Sequence, residues 1–424
     1  MDLRGSVDYG SIPLIVSKHP ERWPYLLGKG PLYEDDQRDI ANSNANKKAV
    51  EGLADDSIET AANDAHLAMC LGLGISPILP RQENLGPKYI IFYPRAGMGN
   101  VLMGYISAVM YACLTERILK IAPYEEREKD VFDCAEYFDS DAPQSICKDL
   151  EMNEELKSRY KSSNVVVKGP EAWDPVHCKN NKQHIEFFLC DNGLSKDEFI
   201  AVSACQYWGD FLFRNPNFKG NLPLSSFPNA LRLKLSPSMK VKEKMVQDGP
   251  YEVCIHVRFD LARTANDLGD NEWVDHLGSC VRQILSRNDK IIGAKSEVLL
   301  FTMHQDVRHA IKQNLEKDSS EKHEVIFASE VSPVGNGGHS SDKHAGIADM
   351  FSMGKQCVHL LPSLNRSTYF MIASNLMANV SVFPGEQWID GCLEESQVTQ
   401  VNPISDYWND GDVCKLEENI CQVA

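Results

Sequence analysis

The chain has 424 residues, of which 43% are hydrophobic and 24% charged, and its formal net charge is -17. This length allows two domains, and the composition is that of an ordinary globular protein. A strongly acidic surface repels nucleic acid and anionic lipid, which argues against a non-specific polyanion binder.

The thirteen cysteines form no CxxC pair and no zinc-type spacing with histidine. They are compatible either with buried free thiols or with a few disulfides formed in an oxidising lumen. The first 20 residues contain no apolar run near the ~18 residues of a membrane span and no apolar core of a signal peptide. We therefore expect no membrane contact by the chain as printed.

The first predicted elements follow a polar segment, residues 1–84, which we expect to be a peripheral extension. An apolar run at 88–94 that ends in proline predicts a strand, and helical spacing of apolar residues predicts a helix over 101–115. The next run, RILKIAP, predicts a second strand, which completes a strand–loop–helix–strand unit of a parallel sheet. Further on, 125–164 is a polar and mostly helical insertion, VVVKG predicts a strand, and 197–215 has helical periodicity.

Strands and helices alternate more regularly after a connecting helix that a Gly-Pro pair at 249–250 ends. Strands are predicted at 251–260, 297–305, 323–329, 357–363 and 380–384, and helices at 273–286, 307–315, 347–354 and 367–377. This alternation predicts a doubly wound nucleotide-binding domain.

The loop between the first strand and its helix is the first candidate for chemistry. Gly97, Gly99 and Asn100 form a GxGN motif there. Glycines let the main chain approach a ligand, and the following helix terminus attracts an anion. A dinucleotide fingerprint requires a third glycine where this chain has Leu102. Taken alone, the motif therefore favours a tight strand-to-helix turn over a phosphate cradle.

The stretch CIHVRFD is the second candidate. Strand alternation places Cys254, His256, Arg258 and Asp260 on one face. Ionisable groups on a buried strand are costly unless they reach its carboxyl end, where α/β sheets bind ligands. An arginine there can hold a diphosphate through two parallel hydrogen bonds. The alternative for Arg258 is a structural ion pair with Asp260 or Asp349.

The third candidate is the turn that precedes the last long helix. Ser363, Ser367 and Thr368 cluster there, and the amides of the helix terminus suit phosphate oxygens. Ordinary capping of the helix explains the two hydroxyl residues Ser367 and Thr368 equally well. Asp349 interrupts the apolar face of the preceding helix. Its carboxylate suits donors on a purine or a ribose, although a solvated polar position is the simpler alternative.

In this order the motifs resemble those of the GDP-fucose-dependent fucosyltransferases, and most closely the plant xyloglucan-type enzymes. The matching stretches span residues 88–385 and are GxGN, YWGDFLFRNPNF, His256-Val257-Arg258, LFTMHQDVRHAI and GIADMFSMGKQCVHLLPSLNRSTYF. The chain departs from the family at three positions. Phe259 replaces a second arginine of some relatives, Tyr369 replaces the usual phenylalanine, and Gln356 replaces an acidic residue.

The resemblance implies an α/β fold of the GT-B type, with two Rossmann-like domains facing a cleft. The acceptor-side domain is expected at 85–248, the GDP-sugar domain at 249–390, and a tail that packs back at 391–424. The implied activity is inverting transfer of fucose from GDP-β-L-fucose to an oligosaccharide or polysaccharide hydroxyl, in glycan or cell-wall biosynthesis. No metal, other cofactor or nucleic-acid partner is expected. The implied catalytic residues are Arg258 and His256, and the implied donor-binding residues are Gly97, Gly99, Asn100, Asp260, Asp349, Ser363, Ser367 and Thr368.

Two further alternatives stay open at this stage. A catalytically inactive relative that binds nucleotide sugars or glycans is favoured by the missing second arginine. A Rossmann oxidoreductase is disfavoured, because both the third glycine and an acidic residue at the end of the second strand are missing. The family implies the Golgi lumen, for which the printed chain shows no anchor, and the alternative is the cytoplasm.

Overall fold

The computed structural model describes seventeen parts of the chain. They are residues 66–78, 86–94, 98–122, 134–150, 152–163, 167–168, 187–193, 195–204, 208–257, 278–279, 282–283, 297–302, 305–316, 324–328, 343–362, 368–376 and 381–382. Both sheets described below belong to one compact unit, residues 54–424.

The first sheet has four parallel strands in the order β2-β1-β4-β3. The strands are β1 (Tyr89–Pro94), β2 (Ile118–Ile121), β3 (Val167–Lys168) and β4 (Phe199–Ala204). Alternate residues of β1 belong to different apolar clusters. Phe92 lies in the main core, and Ile91 lies in a second cluster on the other face of the sheet. Both faces of the sheet are therefore covered, as is usual for parallel strands.

The second sheet has five parallel strands in the order β7-β6-β5-β8-β9. The strands are β5 (Tyr251–His256), β6 (Glu297–Phe301), β7 (Glu324–Phe327), β8 (Cys357–Pro362) and β9 (Ser381–Val382). Counted within this sheet, the order is 3-2-1-4-5, which is that of a Rossmann-type nucleotide-binding domain.

Nine helices have defined bounds among the described residues. They are α1 (Met98–Leu114), α2 (Cys134–Tyr137), α3 (Glu154–Ser162), α4 (Gly209–Arg214), α5 (Ser226–Lys234), α6 (Met239–Lys242), α7 (Gln305–Glu316), α8 (Lys343–Gln356) and α9 (Thr368–Leu376). A 3-10 turn at Ile146–Leu150 follows α2. In the described part of the chain, none of the helices has the length and apolar character that crossing a bilayer requires.

Helix α1 lies inside the main core, where every residue from Val101 to Leu114 is buried. It packs against β1, β2 and β4 of the first sheet, and also against α9, which follows β8 of the second. Helix α9 in turn packs against α8. Gly354 of α8 permits this approach, because a Cβ there would lie 2.6 Å from the Cβ of Leu376. A single core therefore connects the elements around the two sheets.

The predicted α/β class with parallel sheets is confirmed, and most predicted elements are found. One prediction is wrong, because Phe199–Ala204 of the supposed helix forms β4 between β1 and β3. A parallel strand that is buried on both faces is apolar throughout, which hides its two-residue period. Within that segment Gly209–Arg214 is helical, as expected. The helix predicted at 273–286 lies largely outside the described residues.

Residues 66–78, part of the predicted peripheral extension, pack in the main core. Met69, Cys70, Leu73 and Ile75 are all buried there. The rest of the segment 1–84 lies outside the described residues, as does the predicted tail. The predicted domain boundaries stay predictions.

Three disulfides join cysteines of the described residues. They are Cys70–Cys113, Cys134–Cys147 and Cys254–Cys357. Of the two alternatives that the sequence left open, disulfide bonding therefore applies to these six cysteines.

A buried polar cluster lies beside α1. Lys234 Nζ lies 3.0 Å from Asp149 Oδ2, and the Tyr105 hydroxyl donates a hydrogen bond to the same oxygen. Desolvation by burial lowers the pKa of nearby His66 from 6.5 to about 4, and Lys234 lowers it further whereas Asp149 raises it. The folded protein therefore keeps this imidazole neutral where an unfolded chain would protonate it.

His66 gives a pH dependence of stability with a definite sign. Well above pH 6.5 the imidazole is neutral in both states and has no effect. As the pH falls from 6.5 to 4, the unfolded chain binds a proton that the folded chain does not, so stability decreases by up to about 3 kcal/mol. Urea midpoints measured across this range should fall more steeply for the wild type than for H66Q. Equal slopes in the two proteins would contradict the lowered pKa of His66.

Candidate functional site

The second sheet reverses its strand order between β5 and β8. From β5 the chain continues to β6 and β7 on one side, whereas β8 and β9 lie on the other. His256, the last residue of β5, pairs with Pro362, the last residue of β8. In open α/β sheets, ligands bind beyond the carboxyl ends of the strands at such a reversal. The segments 258–260 and 363–367, which hold four predicted site residues, directly follow these two strand ends.

The structure describes two of the four residues that alternation along β5 places on one face, Cys254 and His256. Cys254 lies in the main core, and His256 stacks on Tyr369, which packs against the same core. Pairing with β6 continues beyond the strand, since the Val257 amide donates to the Phe301 carbonyl over 2.9 Å. Arg258 is the next residue, and it lies outside the described part of the chain, as does Asp260.

Helix α9 begins beside the carboxyl end of β5. The rings of His256 and Tyr369, the second residue of α9, lie 5.6 Å apart between centroids and 19° from parallel. Helix α9 begins at the predicted Thr368, whose backbone is described. Ser363 and Ser367 fall in the segment 363–367, outside the described residues. The stacking therefore joins the end of β5 to the first turn of the helix that was predicted to bind phosphate.

Asp349 approaches the same place from α8. It is buried, at 9% exposure, and so is His256. Burial raises the pKa of the Tyr369 phenol well above its ordinary value, and the charge of the nearby Asp349 carboxylate raises it further. The phenol is consequently neutral at physiological pH. The structure thus brings together two predicted site residues, His256 and Asp349, through a tyrosine between them.

The GxGN motif lies at the first sheet. Pro94 at the end of β1 pairs with Ala204 at the end of β4, and α1 begins soon afterwards at Met98. Gly99 is buried and Asn100 half-buried in the first turn of α1, whereas Gly97 lies outside the described residues. The motif therefore lies at the reversal of strand order in its own sheet. Its helix, α1, packs against α9, which follows β8 of the second sheet.

Comparison with known proteins gives relatives only at the level of structure. No family model matches the sequence, and no curated protein matches it. The solved structures similar to it include GDP-bound fucosyltransferases. A variant of Arabidopsis thaliana FUT1 in complex with GDP is 16% identical, with a TM-score of 0.49 over 85% of this chain and 78% of that one.

Two further structures have lower TM-scores. The NodZ α-1,6-fucosyltransferase co-crystallised with GDP is 16% identical, with a TM-score of 0.43 over 71% of this chain and 96% of that one. POFUT1 in complex with GDP is 12% identical, with a TM-score of 0.37 over 70% of this chain and 98% of that one.

Sequence reasoning did not assign a role to two features of the site. Tyr369 was noted only as a departure from phenylalanine, although its place next to Thr368 could have drawn attention to it. The disulfide Cys254–Cys357 joins β5 to β8, the two strands at the reversal. A separation of 103 residues gives no sequence signal for such a pair.

One group of possible metal ligands occurs among the described residues. It consists of His66, Cys70 and Cys113, and lies on and beside α1. The two sulfurs are joined in a disulfide, so they are not thiolate ligands in this structure. The group contains none of the predicted site residues.

Proposed function

We propose that this protein transfers fucose from GDP-β-L-fucose to a sugar hydroxyl, and that the donor binds beyond the carboxyl ends of β5 and β8. One observation carries the proposal. The strand order reverses between these two strands, and the HxR element and the serine-threonine turn follow their paired ends, His256 and Pro362. The identity of the sugar donor comes from the resemblance of the motifs to those of the fucosyltransferases.

The roles of the residues follow from the charges of the donor. Arg258, two residues beyond the end of β5, would grip the diphosphate and stabilise its growing negative charge as it leaves. Amides at the start of α9, near Ser367 and Thr368, would contribute to the same oxygens. Asp349, which is buried on α8 beside Tyr369, would accept hydrogen bonds from the purine or the ribose.

The proposed reaction breaks the bond between C1 of fucose and the β-phosphate oxygen, and the electron pair leaves with GDP. The acceptor hydroxyl forms the new bond to C1 from the opposite face, so the configuration is inverted. Its proton passes to a base, for which His256 and Asp260 are both candidates. Only His256 lies in the described part of the chain, at the end of β5.

Metal independence and location belong to the same proposal. The sequence has no DxD motif at a predicted strand end, and Arg258 provides the positive charge that a metal would otherwise supply. The three disulfides support an oxidising compartment, such as the Golgi lumen that the family resemblance implies. The expected partners are GDP-fucose and an oligosaccharide or polysaccharide acceptor.

Donor binding is tested first by thermal shift. We expect GDP-fucose and GDP to raise the melting temperature, GDP-mannose to raise it less, and UDP-sugars to leave it unchanged. A ligand at 100 times its dissociation constant stabilises the native state by about 2.7 kcal/mol. EDTA should change neither the shift nor turnover of GDP-fucose. Equal shifts with UDP-sugars would contradict the proposed donor site.

Turnover separates an enzyme from an inactive relative. Incubation with GDP-fucose should release GDP slowly with water alone and faster with a mixture of glycan acceptors. Analysis of the product by NMR should show an α-L-fucoside, as inversion requires. A protein that is stabilised by GDP-fucose but releases no GDP under any condition would be the binding protein of the alternative hypothesis.

A further inference from the structure

We propose that Tyr369 is a positioning residue of the donor site, which holds the His256 imidazole at the carboxyl end of β5 through its ring. The catalytic consequence of this inference rests on the proposed function, whereas the contact between the two rings does not depend on it. The resemblance to the fucosyltransferases assigns no role to this tyrosine, because a phenylalanine is usual at its position.

The stacked geometry is the first observation. The two rings lie 5.6 Å apart between centroids, with planes 19° from parallel. A stacked aromatic neighbour restricts rotation of an imidazole about its side-chain bonds, and such contacts are directional rather than merely apolar. His256 is the last residue of β5 and Tyr369 the second residue of α9. The contact therefore lets a residue of α9 hold the side chain at the end of β5, because α9 begins at the same edge of the sheet.

The position of the hydroxyl is the second observation. The phenol oxygen is buried and lies against α8, since a Cβ built on Gly346 would meet it at 3.6 Å. Asp349, one helical turn beyond Gly346, is close enough for its charge to raise the pKa of the phenol. The tyrosine thus spans the distance from β5 to α8. Its ring contacts one predicted site residue and its hydroxyl lies near another.

The chemistry of the phenol explains why a tyrosine suits this position. Its hydroxyl stays protonated, so it adds no charge to a pocket that is to receive a diphosphate. Its dipole lies within electrostatic reach of the Asp349 carboxylate, and a buried carboxylate is costly to keep charged without polar neighbours. A phenylalanine would keep the stack on His256 and lose this dipole. The ring and the hydroxyl therefore have separable consequences.

Two variants separate them. Y369L removes the ring, and we expect its kcat for fucosyl transfer to fall at least about tenfold, because misplacing a catalytic side chain by 1 Å can cost ~10²-fold. Y369F keeps the ring, and we expect its kcat to stay within about twofold of the wild type while KM for GDP-fucose rises several-fold. F370L is the matched control, since Phe370 is the next residue of α9 but lies in the main core. It should lower the melting temperature and leave kcat unchanged.

An NMR measurement tests the contact without relying on activity. In protein labelled with ¹³C-histidine, the Hε1 resonance of His256, assigned by its loss in H256Q, should move in Y369L and stay in place in Y369F and F370L. If Y369L does not fold, as judged by circular dichroism, Y369M replaces it. A His256 resonance that stays in place when the ring is removed overturns the inference, and so does an unchanged kcat in a folded ring-less variant. Absence of GDP-fucose binding by the wild type would instead count against the proposed function.

Discussion

Replacing Arg258 with alanine is expected to lower kcat for fucosyl transfer by about 10²–10³-fold, the effect of removing one charge-stabilising donor at a reacting centre. In the sequence Arg258 directly follows Val257, whose amide is still paired with β6. In R258K the positive charge is kept and the planar fork is lost, so we expect an intermediate activity. The initial rate of GDP release at saturating GDP-fucose, with a glycan acceptor mixture, measures both variants.

Two controls show whether a loss of activity in the Arg258 variants comes from the reaction or from the stability of the fold. R159A removes an arginine of α3 that pairs with Glu198 on an exposed surface, and it should leave the rate unchanged. The melting temperature of R258A without ligand should equal that of the wild type, while the shift caused by GDP should be smaller. If both Arg258 variants retain full activity, the residue has no part in the mechanism. If R258A instead loses stability without ligand, the structural ion pair with an aspartate is the better explanation.

The fold was largely predictable because its strands are separated by helices with clear periodicity. Helix α1 follows a proline-terminated apolar run, and the elements from β5 to β9 alternate in a manner typical of parallel sheets. The exception, β4, shows the limit of periodicity. Its six residues are apolar almost throughout, and those from Phe199 to Ser203 are buried, a pattern that a short window does not distinguish from a buried helix.

The sequence was enough to name candidate site residues, but not the contacts that those residues make. Alternation along one strand predicted that Cys254 and His256 share a face, and in the structure Cys254 lies in the main core while His256 stacks on Tyr369. The stack of His256 on Tyr369 depends on how α9 docks against β5, which no local pattern encodes. The same is true of the disulfide between Cys254 and Cys357, because its two halves come together only through the order of the strands. Tertiary packing, rather than the spacing of residues in the sequence, determines both the stack and the disulfide.

Removal of the Cys254–Cys357 disulfide is the second prediction with a large effect. Its two cysteines lie 103 residues apart, and closing a loop of that length removes conformational entropy worth about 4.7 kcal/mol from the unfolded chain. We therefore expect C254A/C357A to lower the free energy of unfolding by about 2–5 kcal/mol, the range found when native disulfides are removed. Thermal melting and urea unfolding under non-reducing conditions measure the loss.

The position of this disulfide gives it a second consequence, which the stability effect alone does not predict. It joins β5 and β8, whose ends carry His256 and Pro362, so it holds together the two strands from which the proposed donor site is built.

The matched control is C134A/C147A, which removes a disulfide of separation 13 beside α2. Its smaller loop predicts a loss of only about 3 kcal/mol. At a temperature where all three proteins are folded, KM for GDP-fucose should rise in C254A/C357A and not in the control. An equal change of KM in both would mean that the disulfide stabilises the protein without orienting the site.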